Sequence, residues 1–285
     1  MRACVQTRGM TADYAFLGSA PATRWWLVFR EATSFEKPTI IVRGDRNEWR
    51  CYLSGIPSKR TDRVGTAIRY TIVLEGRCSD AGSDALRLVA AWLEDAASSE
   101  PGRRVQVAMD AAFDEATVER LLSSRTAGAE AAAEVEQRAA RALTSLPSTP
   151  ELTIFGEAGS WAGSTSSFPA QRQFLALSAA LLRGERAGAA ARLNLLGTAD
   201  EVGGLAEQVG PLGALIEDPA GALGDAVVTV EKKKQGEAPA DRTPSRPENR
   251  WVAIGLLLGV IALVIWMFLP KPRPPPPPPN PSHQR

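Results

Sequence analysis

Histidine is all but missing from this chain: its single copy, His283, stands near the end of the 285-residue sequence. A Ser-His-Asp or Cys-His catalytic group, or a His-x-x-Glu-His zinc site, therefore cannot be assembled in the bulk of the chain. Catalysis there would fall to carboxylates, Lys, Tyr, Arg or Ser. Cysteine is nearly as scarce. Cys4, Cys51 and Cys78 are far apart and odd in number, with no Cys-x-x-Cys pair. That excludes a readable zinc or dithiol motif and suits a reducing compartment. Net charge is small as well: 33 basic and 32 acidic side chains leave +1, so no global field draws the chain to nucleic acid. A long basic stripe with interleaved aromatics is also lacking, and we expect no nucleic-acid partner. The first ten residues lack the apolar run of a secretory signal, so the N-terminal part is expected to stay on the side where it is made. No internal repeat is visible.

One long apolar run is present. Residues 251–269, from Trp251 to Leu269, carry no charge. At 1.5 Å per residue a helix of this length spans roughly 28 Å, close to the hydrocarbon thickness of a bilayer. Trp251 and Trp266 lie near its ends, where indoles prefer the interface, and Arg250 and Lys271 close it. The reading is a tail anchor with the lipid bilayer as partner. Residues 231–250 hold six basic side chains and residues 271–285 hold three, a bias that places the N-terminal part in the cytoplasm. Gly255 and Gly259 share one helix face, a spacing that permits a homodimer by close approach. The tail, 270–285, has nine prolines and reads as a stiff polyproline II spacer. Residues 231–250 are charged, contain proline and read as a linker.

Before the linker, composition and periodicity are those of a globular α/β (α+β overall) protein in two parts, a strand-rich antiparallel part over 1–100 and an α/β part with parallel strands over 101–230. Residues 25–29 form an apolar run of strand length. Residues 39–43 and 48–53 flank Gly44, Asp45, Arg46 and Asn47, which predicts a hairpin. In its second strand Trp49, Cys51 and Leu53 share one face. Ile68, Tyr70, Ile72 and Leu74 repeat with period two, and Leu86, Val89, Ala90 and Leu93 with helical spacing. Further on, we expect strands at 105–109, 152–155, 192–196 and 226–230. Helices are expected over 114–146, broken near Gly128, then over 168–182 and 199–209.

Three segments could carry chemistry. Gly156, Gly159 and Gly163, followed by Ser164, Thr165 and Ser166, sit between an expected strand and an expected helix. Glycines allow close backbone approach, and a helix N-terminus favours an anion. The segment has no Walker lysine, and its glycine spacing is not the dinucleotide fingerprint; a surface loop with a Ser cap is the plainer account. Gly197 and Asp200 occupy a second such junction, where Asp200 also reads as a helix cap. Lys59, Arg60 and Arg63 crowd one loop together with Ser58 and Thr61 and could hold a phosphate or an acidic partner. These features point to a membrane-anchored module that senses a ligand or docks a protein. The alternative is a membrane-anchored enzyme acting on a nucleotide or other phosphorylated substrate. No residue pattern names a cofactor.

Overall fold

The structure, a computed structural model, describes residues 1–80, 82–97, 103–123, 128–149 and 159–230. They belong to one compact unit, Met1–Lys233. Among them are nine strands: β1 (Arg2–Thr7), β2 (Ala15–Phe16), β3 (Thr39–Gly44), β4 (Glu48–Thr61), β5 (Ala67–Arg77), β6 (Ser160–Ser164), β7 (Gly188–Leu193), β8 (Leu212–Ile216) and β9 (Val227–Val230). All join one sheet in the order β2-β1-β5-β4-β3-β7-β8-β6-β9. The helices are α1 (Ser83–Ala97), α2 (Arg104–Ala112), α3 (Glu115–Ser123), α4 (Ala129–Thr144), α5 (Phe168–Leu182) and α6 (Ala199–Val209), with a 3-10 helix at Trp25–Ala32.

Alternation along the strands builds two cores, one on each sheet face. Ile40, Val42, Trp49, Cys51, Leu53, Ile72 and Leu74 face the first, where α1 to α5 pack. Cys4, Ile41, Tyr52 and Val73 face the second, covered by the 3-10 helix and α6. The result is three layers with the sheet in the middle.

Strands β1 to β5 pair antiparallel, whereas β7, β8 and β6 are parallel neighbours. The two patterns meet where β3 pairs antiparallel with β7, Ile40 opposite Arg192. One sheet therefore runs across the expected boundary near residue 100. The chain steps from β6 past β8 to β7 through α5, then returns to β8 through α6. Right-handed crossovers in opposite directions must use opposite faces, and α5 and α6 do lie in opposite cores.

Several expectations need correction. Residues 25–29 are helical, not a strand: Phe29 and Ala32 are buried while Leu27 and Val28 are exposed, a period of three. Trp26 stacks on Tyr52 at 5.0 Å and Trp25 meets Trp26 edge-on at 5.8 Å, so both indoles sit on one side of the sheet. Residues 105–109 lie within α2, where Val105 and Met109, four apart, are the buried pair; that spacing outweighs the β-branched residues. The strand expected at 192–196 is Gly188–Leu193 instead, an alanine run that pattern reading passes over. β1, β2, β6 and β8 have no counterpart among the expected strands. Residues 152–155 and the candidate anchor, 251–269, lie outside the described residues. Among the described residues no helix is long and apolar enough to cross a membrane.

Candidate functional site

The first glycine-rich segment is less loop than expected. Gly156 lies outside the described residues. Gly159 has open space around it, but Gly163 and Ser164 belong to β6. A Cβ on Gly163 would stand 2.5 Å from Ala170 Cβ, so this glycine serves the seating of α5 on the sheet. The turn after β6 also spends its own donors. The N–H groups of Thr165, Ser166 and Ser167 donate to Ile216 O, Ser164 Oγ and Ser164 O. Ser167 Oγ accepts from Ala170 N and caps α5. An anion would find those donors occupied.

The second junction is filled in the same way. Thr198 caps α6, and the Glu201 carboxylate accepts from the N–H groups of Gly197 at 2.9 Å and Thr198 at 3.0 Å. Those N–H groups, with the Thr198 hydroxyl, hold the Glu201 carboxyl below the usual range. Asp200 is not the expected cap: Thr198 takes that place, and Asp200 stands in the first turn, where its charge suits the helix dipole. Both junctions flank the β8–β9 connection: Ser167 Oγ donates to Asp225 O, and Gly197 lies beside Glu217. An internal carboxylate already occupies the position an external one would take.

Lys59, Arg60 and Arg63 stand apart, at the far end of β4 and just beyond it. The Lys59 N–H donates to Asp110 Oδ2 at 2.8 Å, while Asp110 Oδ1 accepts from Ser58 at 2.6 Å and Tyr70 at 3.0 Å. Asp110, on α2, thus clamps that helix to the sheet; sequence reading overlooked it. Arg60 donates to Arg8 O and Thr7 Oγ1 and lies over the Tyr70 ring. Burial pushes the Tyr70 phenol up to about 12. Arg63 lines a shallow hollow of about 220 Å³ with Arg8 and Asp62. Arg60 and the Lys59 backbone hold structure together.

A larger cavity, about 430 Å³, opens at the opposite edge of the sheet, where β3 ends and β7 and β8 begin. Its geometry follows from the β3–β4 hairpin. Asp45 accepts from Asn47 N at 2.7 Å and Glu48 N at 2.8 Å, closing a turn with Arg46 and Asn47 at its tip. Those two donors hold the Asp45 carboxyl below the usual range. The resulting register puts Arg43 directly opposite Arg50 and, on its other side, Ala189 of β7. Two long cations thus stand side by side, and the hollow beside them is bounded by Ala187, Gly188, Val209 and Pro211. Trp25, from the start of the 3-10 helix, lines it too, with its Nε1 buried and unpartnered among the described residues.

The charges in this cleft are unevenly matched. Asp45 is committed to its turn, and Glu48 pairs with Arg50 at 3.6 Å. Arg43 has no ion pair or hydrogen bond among the described residues. Burial, and then the facing Arg50, draw its guanidinium below the ordinary value. A half-buried cation without a partner among the described residues lines this hollow, and an anion bridging two guanidinium forks would satisfy both. Among the described residues no three His, Cys, Asp or Glu side chains are grouped to hold a metal ion.

A turn formed by residues 44–47 would have set Arg43 beside Glu48, an ordinary ion pair. The actual turn is displaced by one residue at each end, which exchanges Glu48 for Arg50 as the neighbour of Arg43. The signal in the sequence was Asp45, whose side chain closes such turns.

No family model matches the chain, and neither a curated protein nor a solved structure matches it.

Proposed function

We propose that this is a tail-anchored membrane protein whose cytoplasmic domain is a binding module, with the Arg43–Arg50 cleft receiving an anionic group of its ligand or partner. The observation that carries the reading is the cross-strand arginine pair, of which one member has no counter-ion among the described residues. The confinement of histidine to the tail favours binding over turnover, and of the three cysteines only Cys78 is not buried. The anchor rests on the uncharged stretch 251–269 and its flanking tryptophans.

Two measurements test it. After a carbonate wash the full-length chain should stay with the membrane fraction; recovery in the supernatant would dispose of the anchor. In calorimetric titration the protein should bind pyrophosphate or a phosphomonoester, and Arg43→Gln should weaken binding at least tenfold, since a charge-assisted pair contributes about 1.5–3 kcal/mol. Equal affinity in the variant would move the site elsewhere. Asp45 and Glu48 line the same cleft and keep the enzyme reading in play: hydrolysis of a bound phosphoester, lost in Glu48→Gln, would decide for it.

A further inference from the structure

The cleft and the exit of the chain share one edge of the sheet. β9 runs antiparallel to β6 and ends at Val230, opposite Ser160, the first residue of β6. β8 and β7 begin at the same edge, with Leu212 opposite Ala189. At about 4.8 Å per strand, Val230 lies roughly 15 Å from the start of β7 and roughly 19 Å from the end of β3. Lys232, Lys233 and Lys234 follow almost at once. The two turns at this edge, residues 43–50 and 183–188, carry five arginines against three carboxylates. Beside Trp25, Leu27 and Val28 are 48% and 36% exposed, leaving apolar side chains in water on the element that begins at the cleft. Twenty residues, 231–250, separate this edge from the anchor segment. Even fully extended they reach only about 70 Å.

We propose that the anion taken between Arg43 and Arg50 is the phosphate of an anionic phospholipid in the bilayer that holds the anchor, so that the domain docks by this edge onto its own membrane. The proposal rests on the reading of the cleft and of the anchor given above. A phosphodiester presents two non-bridging oxygens and one negative charge, a match for two adjacent guanidinium groups. Arg43 accepts it without displacing a partner, and Arg50 keeps Glu48. Trp25, with its apolar ring at the cleft and an indole N–H unpartnered among the described residues, is the side-chain type that settles at headgroup level. Tethering raises the effective lipid concentration, so a single weak headgroup site suffices. The surrounding arginines and the three lysines add sequence-independent attraction to an anionic surface.

The test is hydrogen–deuterium exchange on the full-length protein in vesicles of phosphatidylcholine alone or of equimolar phosphatidylcholine and phosphatidylglycerol. Amides of residues 44–48 and 187–189 should exchange several-fold more slowly in the anionic vesicles, and Arg43→Gln should remove most of that protection. Amides of β1 and β5 report whether the variant is folded; if they exchange faster, Arg50→Gln serves in its place. Equal exchange at 44–48 in both vesicle types overturns the proposal. Protection that survives in a folded variant also overturns it, because the arginines are then not the contact. A third arm adds free glycerol 1-phosphate to phosphatidylcholine vesicles. Protection there, without protection by phosphatidylglycerol, sinks lipid docking and leaves the anion cleft standing. Protection in neither arm sinks both.

Discussion

Replacing Arg43 by Gln should stabilise the domain while it removes the anion site. The argument is electrostatic. Arg43 and Arg50 are direct cross-strand partners, and like charges in that position destabilise by about 0.2–1 kcal/mol. Arg43 is only partly exposed, so salt and water screen the repulsion incompletely. No hydrogen bond or ion pair among the described residues is lost with it. Gln keeps the first part of the aliphatic stem and its packing. The expected gain is about 0.5 kcal/mol, near the middle of the pair range. For a domain of this size 1 kcal/mol moves Tm by about 2–4 °C, so the rise should be about 1–2 °C. Arg50→Gln should give no such rise, because it loses the Glu48 pair at 3.6 Å along with the repulsion. Urea unfolding followed by tryptophan fluorescence reads both variants, and added salt should shrink the Arg43→Gln gain. A loss of more than about 0.5 kcal/mol in Arg43→Gln would mean that Arg43 has a favourable partner of its own. The case for a cation held in reserve would then fail.

Four further outcomes follow from the packing and the caps. Asp110→Ala strips the acceptor from Ser58, Lys59 N and Tyr70; with Tyr70 still donating to Phe113 O, we expect a loss of about 2–4 kcal/mol in the urea midpoint, and a loss under about 1 kcal/mol would show the clamp to be dispensable. Gly163→Val drives a branched side chain into Ala170 and should cost about 1–3 kcal/mol or prevent folding; a variant of normal stability would show that α5 can lift away. Thiol reagents at neutral pH should modify Cys78 before Cys4 and Cys51, which are buried with thiols pushed up by desolvation; early labelling of Cys51 in the native protein would contradict its place in the core. The Glu201 carboxyl is held low by the α6 cap, so its contribution is present above about pH 4.3 and is lost as pH falls through the lowered value. Protection of the Gly197 and Thr198 amides should therefore drop in acid, and constant protection down to about pH 2 would mean the cap does not depend on the charge.

Much of the fold was legible where one periodicity dominates. Trp49, Cys51 and Leu53 on one face of β4, with Tyr52 on the other, follow directly from a period of two. The helix over 199–209 is observed with the expected bounds, but its cap is the Thr198–Glu201 box rather than Asp200. The break near Gly128 falls where α3 and α4 are distinct helices, since Gly128 precedes the first residue of α4. Reading failed where residue type and spacing disagree. Val105 and Val107 suggest a strand, yet Val105 and Met109 are the positions that bury, and packing against the first core decides. Trp25 and Trp26 suggest a strand, yet Tyr52 offers a flat surface that the 3-10 helix can cover.

The sequence by itself determined a hairpin around Asp45, the serine cap of α5, the alternation that divides the sheet into two faces, and the absence of histidine chemistry from the globular part. Each depends on residues within a few positions of one another, where steric and hydrogen-bonding preferences act without outside help. Only the tertiary structure decided that the glycine- and serine-rich junctions spend their own N–H groups, and that Arg43 stands between Arg50 and Ala189. The cross-strand neighbours of Arg43 come from two strands, β4 and β7, the second some 145 residues away in the chain. Whether a cation finds a carboxylate, another cation or an empty hollow depends on strand order and register, and those are set by which apolar faces must be buried together.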